Sequence, residues 1–380
     1  MDEFDARMGA AFETPPRGRL TRGIVIEELR IVYVPVSKAA CTSLRWLLAD
    51  LLGLPRGSFE DPAKFRATQG QTIQNVNKWP PEYIVQRADP SWLQEVAEDE
   101  TWFRFSVVRD PARRLWSAWQ SKLLLRQPGF VEAFGGEPWF PGVPSSPEEV
   151  IEDYERFVAA LDAEEEDRRP SDPHWRLQTE LLGDAPPALN HIGKVERLGE
   201  TLGLLGEHVA RSGRELPPMR RENVTPLAYP EGLLGGETLR IVRERYAPDY
   251  RAFDYPMPKQ VPPADDAARA WNERTRLLLG AVDTLISHNE RLTELDRSLQ
   301  EARLQATQAR KNGERLRRDV QKRDREISRL CGKVRELKKQ ARTLDEIEQS
   351  NIWRLTAPLR RLVERSRRVK RSLRENGKPG

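Results

Sequence analysis

The sequence predicts an α/β domain, a mainly parallel sheet flanked by helices, followed by a long C-terminal α-helical coiled coil. Short β-rich runs alternate with helix-like runs between residues 24 and 255, which implies strands joined by crossover helices. All of the ten tryptophans except Trp271 and Trp353 lie before residue 180, so core-forming material is concentrated in the front of the chain. After residue 265 a leucine-rich heptad pattern takes over, with charged residues at most other positions.

The elements follow in order. Residues 1–22 read as a flexible leader. "GIVIEELRIVYVPVSK" holds two β-rich runs, the second being Ile31 to Val34. "CTSLRWLLADLLG" is helix-like, with Leu44, Leu47, Leu48 and Leu51 on one side and Gly53 as its stop. The same order recurs in "TWFRFSVVRDPARRLWSAWQSKLLL", where Phe103 to Val108 is a buried strand and Asp110 caps a helix with Pro111 in its first turn. "NHIGKVERLGETLGLLGEHV" is a third, weaker instance. The Pro-rich stretches around 137–149 read as surface loops, and "PMPKQVPPADD" marks the end of the domain, giving a unit over 23–260. With Leu278 at position a, Leu285, Leu292, Val320, Ile327 and Val334 share that position and Leu295, Leu316, Leu330, Leu337 and Leu344 fall at d. A coiled coil is expected over 265–349, weakened in its middle by Ala306, Gly313 and Arg323. In-register pairing makes a homodimer the expected assembly.

Composition limits the function classes. With 32% charged and 38% hydrophobic residues and a mean hydropathy of -0.69, 380 residues are too polar for one compact globule. The net charge of +4 conceals a basic tail: residues 351–380 hold ten Lys or Arg against two Glu. The rest of the chain is slightly acidic, so nothing marks the folded domain as a nucleic-acid binder. Cys41 and Cys331 make no disulfide framework, which fits a reducing compartment. There is no apolar run of about 18 residues and no signal-peptide pattern at the N-terminus. A cytoplasmic protein is expected.

Between the second strand and its helix sits "PVSKAACTSL", which places a lysine, small residues and two hydroxyls where the amides of a starting helix converge. That is an anion site of the P-loop-like kind. The glycines of a Walker A loop are absent, which argues against an ordinary nucleotide kinase. The bland alternative is a lysine in a surface turn followed by a Thr or Ser cap. In "VVRDPARRLWSAW", Arg109 leaves the end of another buried strand and Ser117 follows on the next helix. Arg supplies forked donors for a phosphate. Two such sites suggest one ligand with separated phosphates.

With these motifs the sequence resembles the carbohydrate sulfotransferases that use 3′-phosphoadenosine 5′-phosphosulfate (PAPS), the family of chondroitin 4-sulfotransferases and their bacterial counterparts. "PVSKAACTSL" resembles the family's 5′-phosphosulfate loop, with Val36 and Ser37 intervening between Pro35 and Lys38, and "VVRDPARRLWSAW" is similar to its 3′-phosphate motif. "DPHWRLQ", "HIGKVERL" and "YAPDYRAFDY" resemble three further blocks in the family's order. The resemblance implies that Lys38 meets the bridging oxygen and sulfuryl group. Ala39, Ala40, Cys41, Thr42 and Ser43 would hold the 5′-phosphate, and Arg109 and Ser117 the 3′-phosphate. PAPS is then the donor, a carbohydrate hydroxyl of a cell-surface saccharide the acceptor, and no metal is expected.

His174, in the "HW" block, is the candidate general base; the alternatives are a helix cap or a sugar-lining residue. Trp175 either stacks on an acceptor ring or belongs to the core. Cys41 at a helix start could be a nucleophile, although the motif accounts for it as a small residue under the loop. Arg220, Arg221 and Asn223 have no assigned role. The tail over 350–380 sets Leu355, Leu359, Leu362, Val369 and Leu373 along one helical face amid basic residues, a pattern suited to the inner face of a membrane. "WRLTAPLRRL" also resembles a piece that follows coiled coils in bacterial surface-polysaccharide enzymes. Two alternatives to carbohydrate sulfation stay open: an inactive sulfotransferase-like scaffold working through its coiled coil, or sulfation of a lipid or small metabolite.

Overall fold

The computed structural model describes residues 23–60, 69–85, 90–163, 170–183, 189–222, 224–260 and 265–375. The expected leader, Asn223 and the side chains of Val369 and Leu373 lie outside the described residues. The chain forms two compact units, Met1–Ser298 and Leu299–Gly380.

The first unit is built on a four-stranded sheet in the order β1-β2-β3-β4: β1 Ile24–Ile26, β2 Ile31–Val34, β3 Phe103–Val108 and β4 His191–Lys194. β1 runs antiparallel to β2, and β2, β3 and β4 run parallel, with Val34 opposite Ser106 and Val108 opposite Lys194. β1 and β2 read as continuous apolar runs because both of their faces are covered. Ile31, Tyr33, Phe105 and Val107 pack with Leu44, Leu47 and Leu48 of α1 (Cys41–Leu51) and Leu205 and Val209 of α7 (Leu198–Ala210). Val32, Val34 and Val108 point the other way, onto Val96 of α2 (Pro90–Glu98), Trp102 and Phe253. The expected α/β architecture is therefore present.

Local signals account for the helix ends. α1 stops where Gly53 takes φ +68, a left-handed value that favours glycine. α3 (Pro111–Trp119) starts with Pro111 in its first turn, and Asp110 Oδ1 accepts from the Arg113 amide at 2.9 Å. At Gly193 in β4 a Cβ would lie 2.0 Å from Thr201 Oγ1, so glycine is what lets α7 close on the sheet.

Beyond β3 an aromatic core joins α3, α4 (Pro128–Phe134), α5 (Pro147–Leu161), α8 (Gly236–Arg245) and α9 (Ala247–Ala252), while α6 (Gln178–Leu182) places Leu182 in the cluster of Val34 and Val108. Trp116, Trp119, Trp139 and Trp175 are its largest members, and such side chains contribute much of the apolar area a core buries. Trp139, in the Pro-rich loop, is buried against Phe157.

The long helix α10 spans Asp265–Gln349. Its first part belongs to the first unit, where Thr275, Val282 and Ile286 are buried and Val282 and Ile286 join the aromatic core. The compact unit thus continues past the Pro-rich stretch to Ser298. In the second unit α10 runs on to Gln349 and is followed by α11 (Asn351–Leu355) and α12 (Ala357–Glu375). The helix expected from the heptads is there. Its a and d residues Leu316, Val320, Ile327 and Leu337 are exposed on this chain.

Candidate active site

The carboxyl ends of β2 and β3 feed two turns, and the site is built from them. After β2, Lys38 and Ala40 both take left-handed backbone angles, φ 66 and 59. That conformation costs a non-glycine residue roughly 1–2 kcal/mol, and such strain collects at functional turns. It bends the chain so that α1 begins with no side-chain cap. The amides of a helix's first turn have no partner within the helix and carry the positive end of its dipole.

The loop's side chains have defined partners. Thr42 Oγ1 accepts from Gln74 Nε2 at 2.8 Å, and Ser43 Oγ accepts from the Glu222 amide at 3.0 Å. The Ser43 hydroxyl, which accepts here, has its own proton to donate to a phosphate oxygen. Cys41 is half-buried, with Gln74 Nε2 at 3.6 Å from its sulfur, and Ala39 is fully buried beneath the loop.

Lys38 Nζ donates to Ser121 Oγ at 2.8 Å. Ser121 lies in a π-helical turn, Gln120–Leu124, that extends α3; such turns interrupt helices most often at functional sites. The next residue, Lys122, is buried, reaches Gln127 Oε1 at 2.6 Å and sits 5.3 Å from the centre of the Phe130 ring. Burial, then the neighbouring Lys122 charge, lowers Lys38 from the ordinary lysine range to about 7. Burial lowers Lys122 to about 8, with Asp172 opposing. A cation is depressed in this way where it lacks enough negative charge nearby, so the cluster suits an anionic ligand.

From the β3 end, Arg109 Nη1 approaches the Lys38 carbonyl at 3.4 Å, which places the two predicted phosphate residues side by side. The Arg109 main chain is locked by Gln178, whose Oε1 accepts from its amide at 3.0 Å and whose Nε2 donates to its carbonyl at 2.8 Å. Ser117 is buried one helical turn before Ser121, on the same face of the extended α3.

His174 joins the same cluster. Its ring Nδ1 lies 2.5 Å from Asp172 Oδ1, which also accepts from the His174 amide at 2.8 Å. Burial pushes Asp172 upward, but the bonds from His174 outweigh it and hold the carboxyl low. With Asp172 ionised, the proton sits on Nδ1 and Nε2 presents a lone pair. Burial, followed by the Lys122 charge, drops His174 to about 4, so the ring is neutral at physiological pH. It is not a helix cap: it lies in a turn between Asp172 and α6. Trp175 is buried in the aromatic core, its Nε1 donating to the Pro170 carbonyl at 2.8 Å, which resolves its alternatives in favour of packing.

Arg114 holds these pieces together and was not singled out as a site residue. Fully buried, it donates to the Ser37 carbonyl at 2.9 Å, the Arg176 carbonyl at 2.7 Å and the Pro173 carbonyl at 3.2 Å. One guanidinium therefore fixes the β2 turn to the segment carrying His174. Asp249 of α9 performs a similar task, accepting from the Gln178 and Thr179 amides at 2.8 and 2.9 Å. Glu196 and Tyr255 meet at 2.7 Å beside the Asp110 amide. Lys122, Ser121 and Asp172 were likewise missed. Lys122 and Ser121 follow Ser117 within "SAWQSK", so the helical face after Ser117 is the signal that could have found them.

Arg220 and Arg221 are exposed. Among the described residues no group of three or more His, Cys, Asp or Glu is placed to hold a metal ion. His191 and His208 serve the fold, bonding Thr201 Oγ1 at 3.0 Å and the Leu29 carbonyl at 2.8 Å.

This is a P-loop-like α/β domain whose strand ends present a cluster of cationic side chains beside a His–Asp pair. A model of the sulfotransferase family matches residues 22–256, and the chain belongs to that family. Carbohydrate sulfotransferase 12 of Xenopus laevis is 28% identical over 216 residues, which cover 51% of this chain and 50% of the relative. The chain thus spans about half the length of this curated relative. No solved structure matches it.

Proposed function

We propose that the protein transfers a sulfuryl group from PAPS to a hydroxyl of a carbohydrate. The observation that carries this reading is the meeting of Lys38, Lys122 and Arg109 at the strand ends with the Asp172-oriented His174. The family match and the carbohydrate sulfotransferase relative support the chemistry and the acceptor class.

The first-turn amides of α1 with Thr42 and Ser43 hold the 5′-phosphate, and Arg109 with Ser117 anchors the 3′-phosphate. His174 Nε2 takes the proton of the acceptor hydroxyl as its oxygen attacks sulfur, while Asp172 keeps the ring in the accepting tautomer. The bond from sulfur to the 5′-phosphate oxygen breaks, and Lys38 neutralises the charge that grows on that oxygen. Lys38 must be cationic for this step, and the donor's own phosphates raise it from about 7 toward the ordinary lysine range.

Transfer of labelled sulfate from PAPS to a panel of saccharides tests the proposal, with Lys38→Ala as the control. Loss of a preorganised charge of this kind costs about 10²–10³ in kcat. Equal transfer by the variant would remove Lys38 from the mechanism. If adenosine 3′,5′-bisphosphate does not bind at all, the domain is a scaffold rather than an enzyme.

A further inference from the structure

We infer that residues 351–375 form a hook that lies in the surface of an anionic membrane. The helix break is built into the sequence. Ser350 Oγ accepts from the Trp353 amide at 3.2 Å and starts α11, and after Thr356 the chain resumes as α12. The corner is clamped by Arg360, whose guanidinium stacks 3.5 Å from the centre of the Trp353 ring and donates to Thr356 Oγ1 at 2.8 Å.

This clamp leaves the apolar side chains uncovered. Ile352 and Leu355 are 76% and 79% exposed, and Leu359, Leu362 and Val363 are 65%, 69% and 50% exposed. At 100° per residue Leu359, Leu362, Val363 and Ser366 share one side of α12, whereas Arg360, Arg361, Arg365, Arg367, Arg368 and Arg371 fall on the other. An apolar face bordered by arginines is the arrangement that seats a helix at the boundary of headgroups and acyl chains. No described helix is long and apolar enough to cross a membrane, so the contact is with the surface.

Two other occupants fit less well. A nucleic acid would meet the arginines and leave the leucines in water. A second helix would need a continued seam, but the d positions of the heptad frame here are Asn351, Pro358, Arg365 and Ser372, so alternate layers would be polar. Charge complementarity therefore selects anionic lipid. The proposal does not depend on the sulfotransfer reading.

The test is co-sedimentation of the full-length protein with vesicles of phosphatidylcholine containing phosphatidylserine, and with phosphatidylcholine alone. Binding is expected only to the anionic vesicles, and added salt should weaken it. Arg365→Gln/Arg368→Gln should lower the partition coefficient about 25-fold, from roughly fivefold per basic residue. Leu359→Gln/Leu362→Gln should lower it at least about tenfold, with adenosine 3′,5′-bisphosphate binding as the check on folding; glutamine is a good helix former, so the helix is kept. Equal binding to neutral vesicles, or wild-type sedimentation of both variants, overturns the proposal. So does a duplex DNA that binds tightly and is indifferent to the leucine changes.

Discussion

The turn after β2 and the turn after β3, to which the proposed function assigns the two phosphates, are built in opposite ways. In the first, Lys38 and Ala40 are strained into left-handed angles and α1 starts without a side-chain cap. In the second, the Asp110 carboxylate already occupies the N-terminus of α3 and Pro111 removes one amide. A phosphate there would meet a negative charge, so only side chains, Arg109 and Ser117, are left to hold it. The difference suits two tasks. A rigid backbone cradle with a lysine fits the phosphate whose bond breaks, and a side-chain handle fits the phosphate that only anchors.

If this division is right, changes to the His174–Asp172 pair, which Arg114 ties to the first turn, act on rate and changes at the second turn act on affinity. The largest effect should come from His174→Ala, which lowers kcat by about 10²–10⁴ while leaving the Kd for adenosine 3′,5′-bisphosphate unchanged. Asp172→Asn should show the same kcat loss in smaller measure, again with intact affinity, since Asp172 acts only through His174. A rise in Kd with constant kcat for either variant would break the comparison.

Arg109→Ala comes next. Removing one charge-assisted bond of about 1.5–3 kcal/mol should weaken adenosine 3′,5′-bisphosphate about 10–100-fold by calorimetry. Adenosine 5′-phosphate, which lacks the 3′ group, should bind the variant and the wild type alike. An equal loss for both ligands would mean that Arg109 serves the 5′ site.

Stability gives the smallest and most local contrast. Asp110→Ala should cost about 0.5–2 kcal/mol in urea unfolding through loss of the cap. Ala40→Gly relieves roughly 1–2 kcal/mol of left-handed strain and loses about 0.4–1 kcal/mol through the freer unfolded chain. It should therefore be neutral or slightly stabilising. A destabilised Ala40→Gly would show that the first turn is not strained.

Much of this was legible in the sequence where a signal is local. The β-runs, the Asp110 cap with Pro111, the Gly53 stop and the placing of Lys38 and Arg109 at strand ends each depend on neighbours in the chain. Arg114 was not legible, because its partners Ser37, Pro173 and Arg176 lie 59 to 77 residues away. Lys122 was hidden by the π-helical turn, a backbone irregularity that propensities do not encode. The heptads announced α10 but not its docking. The residues it buries in the first unit, Thr275, Val282, Ile286, Thr293 and Asp296, lie off the a and d positions. Docking also ties α10 to the active-site turn, since Asn289 Nδ2 donates to the Leu125 carbonyl at 2.5 Å and Arg126 pairs with Glu290.

The central claim is that the site is a cluster of cations awaiting an anion, and proton linkage tests it most directly. Lys38 near 7 and Lys122 near 8 both titrate below the ordinary value of 10.5. Above those values the free folded protein has lost protons that the unfolded chain still binds. Stability of the ligand-free protein should therefore rise with pH from about 7 toward 10.5. Ligand binding favours the charged lysines and works in the other direction. Calorimetric titration of adenosine 3′,5′-bisphosphate at pH 8, in buffers of differing ionisation enthalpy, counts the protons. The account predicts uptake of about one proton or more per ligand, with affinity falling as pH rises and Lys38→Ala abolishing most of the uptake. Binding without proton uptake, or affinity that does not change between pH 7 and pH 9, would contradict it.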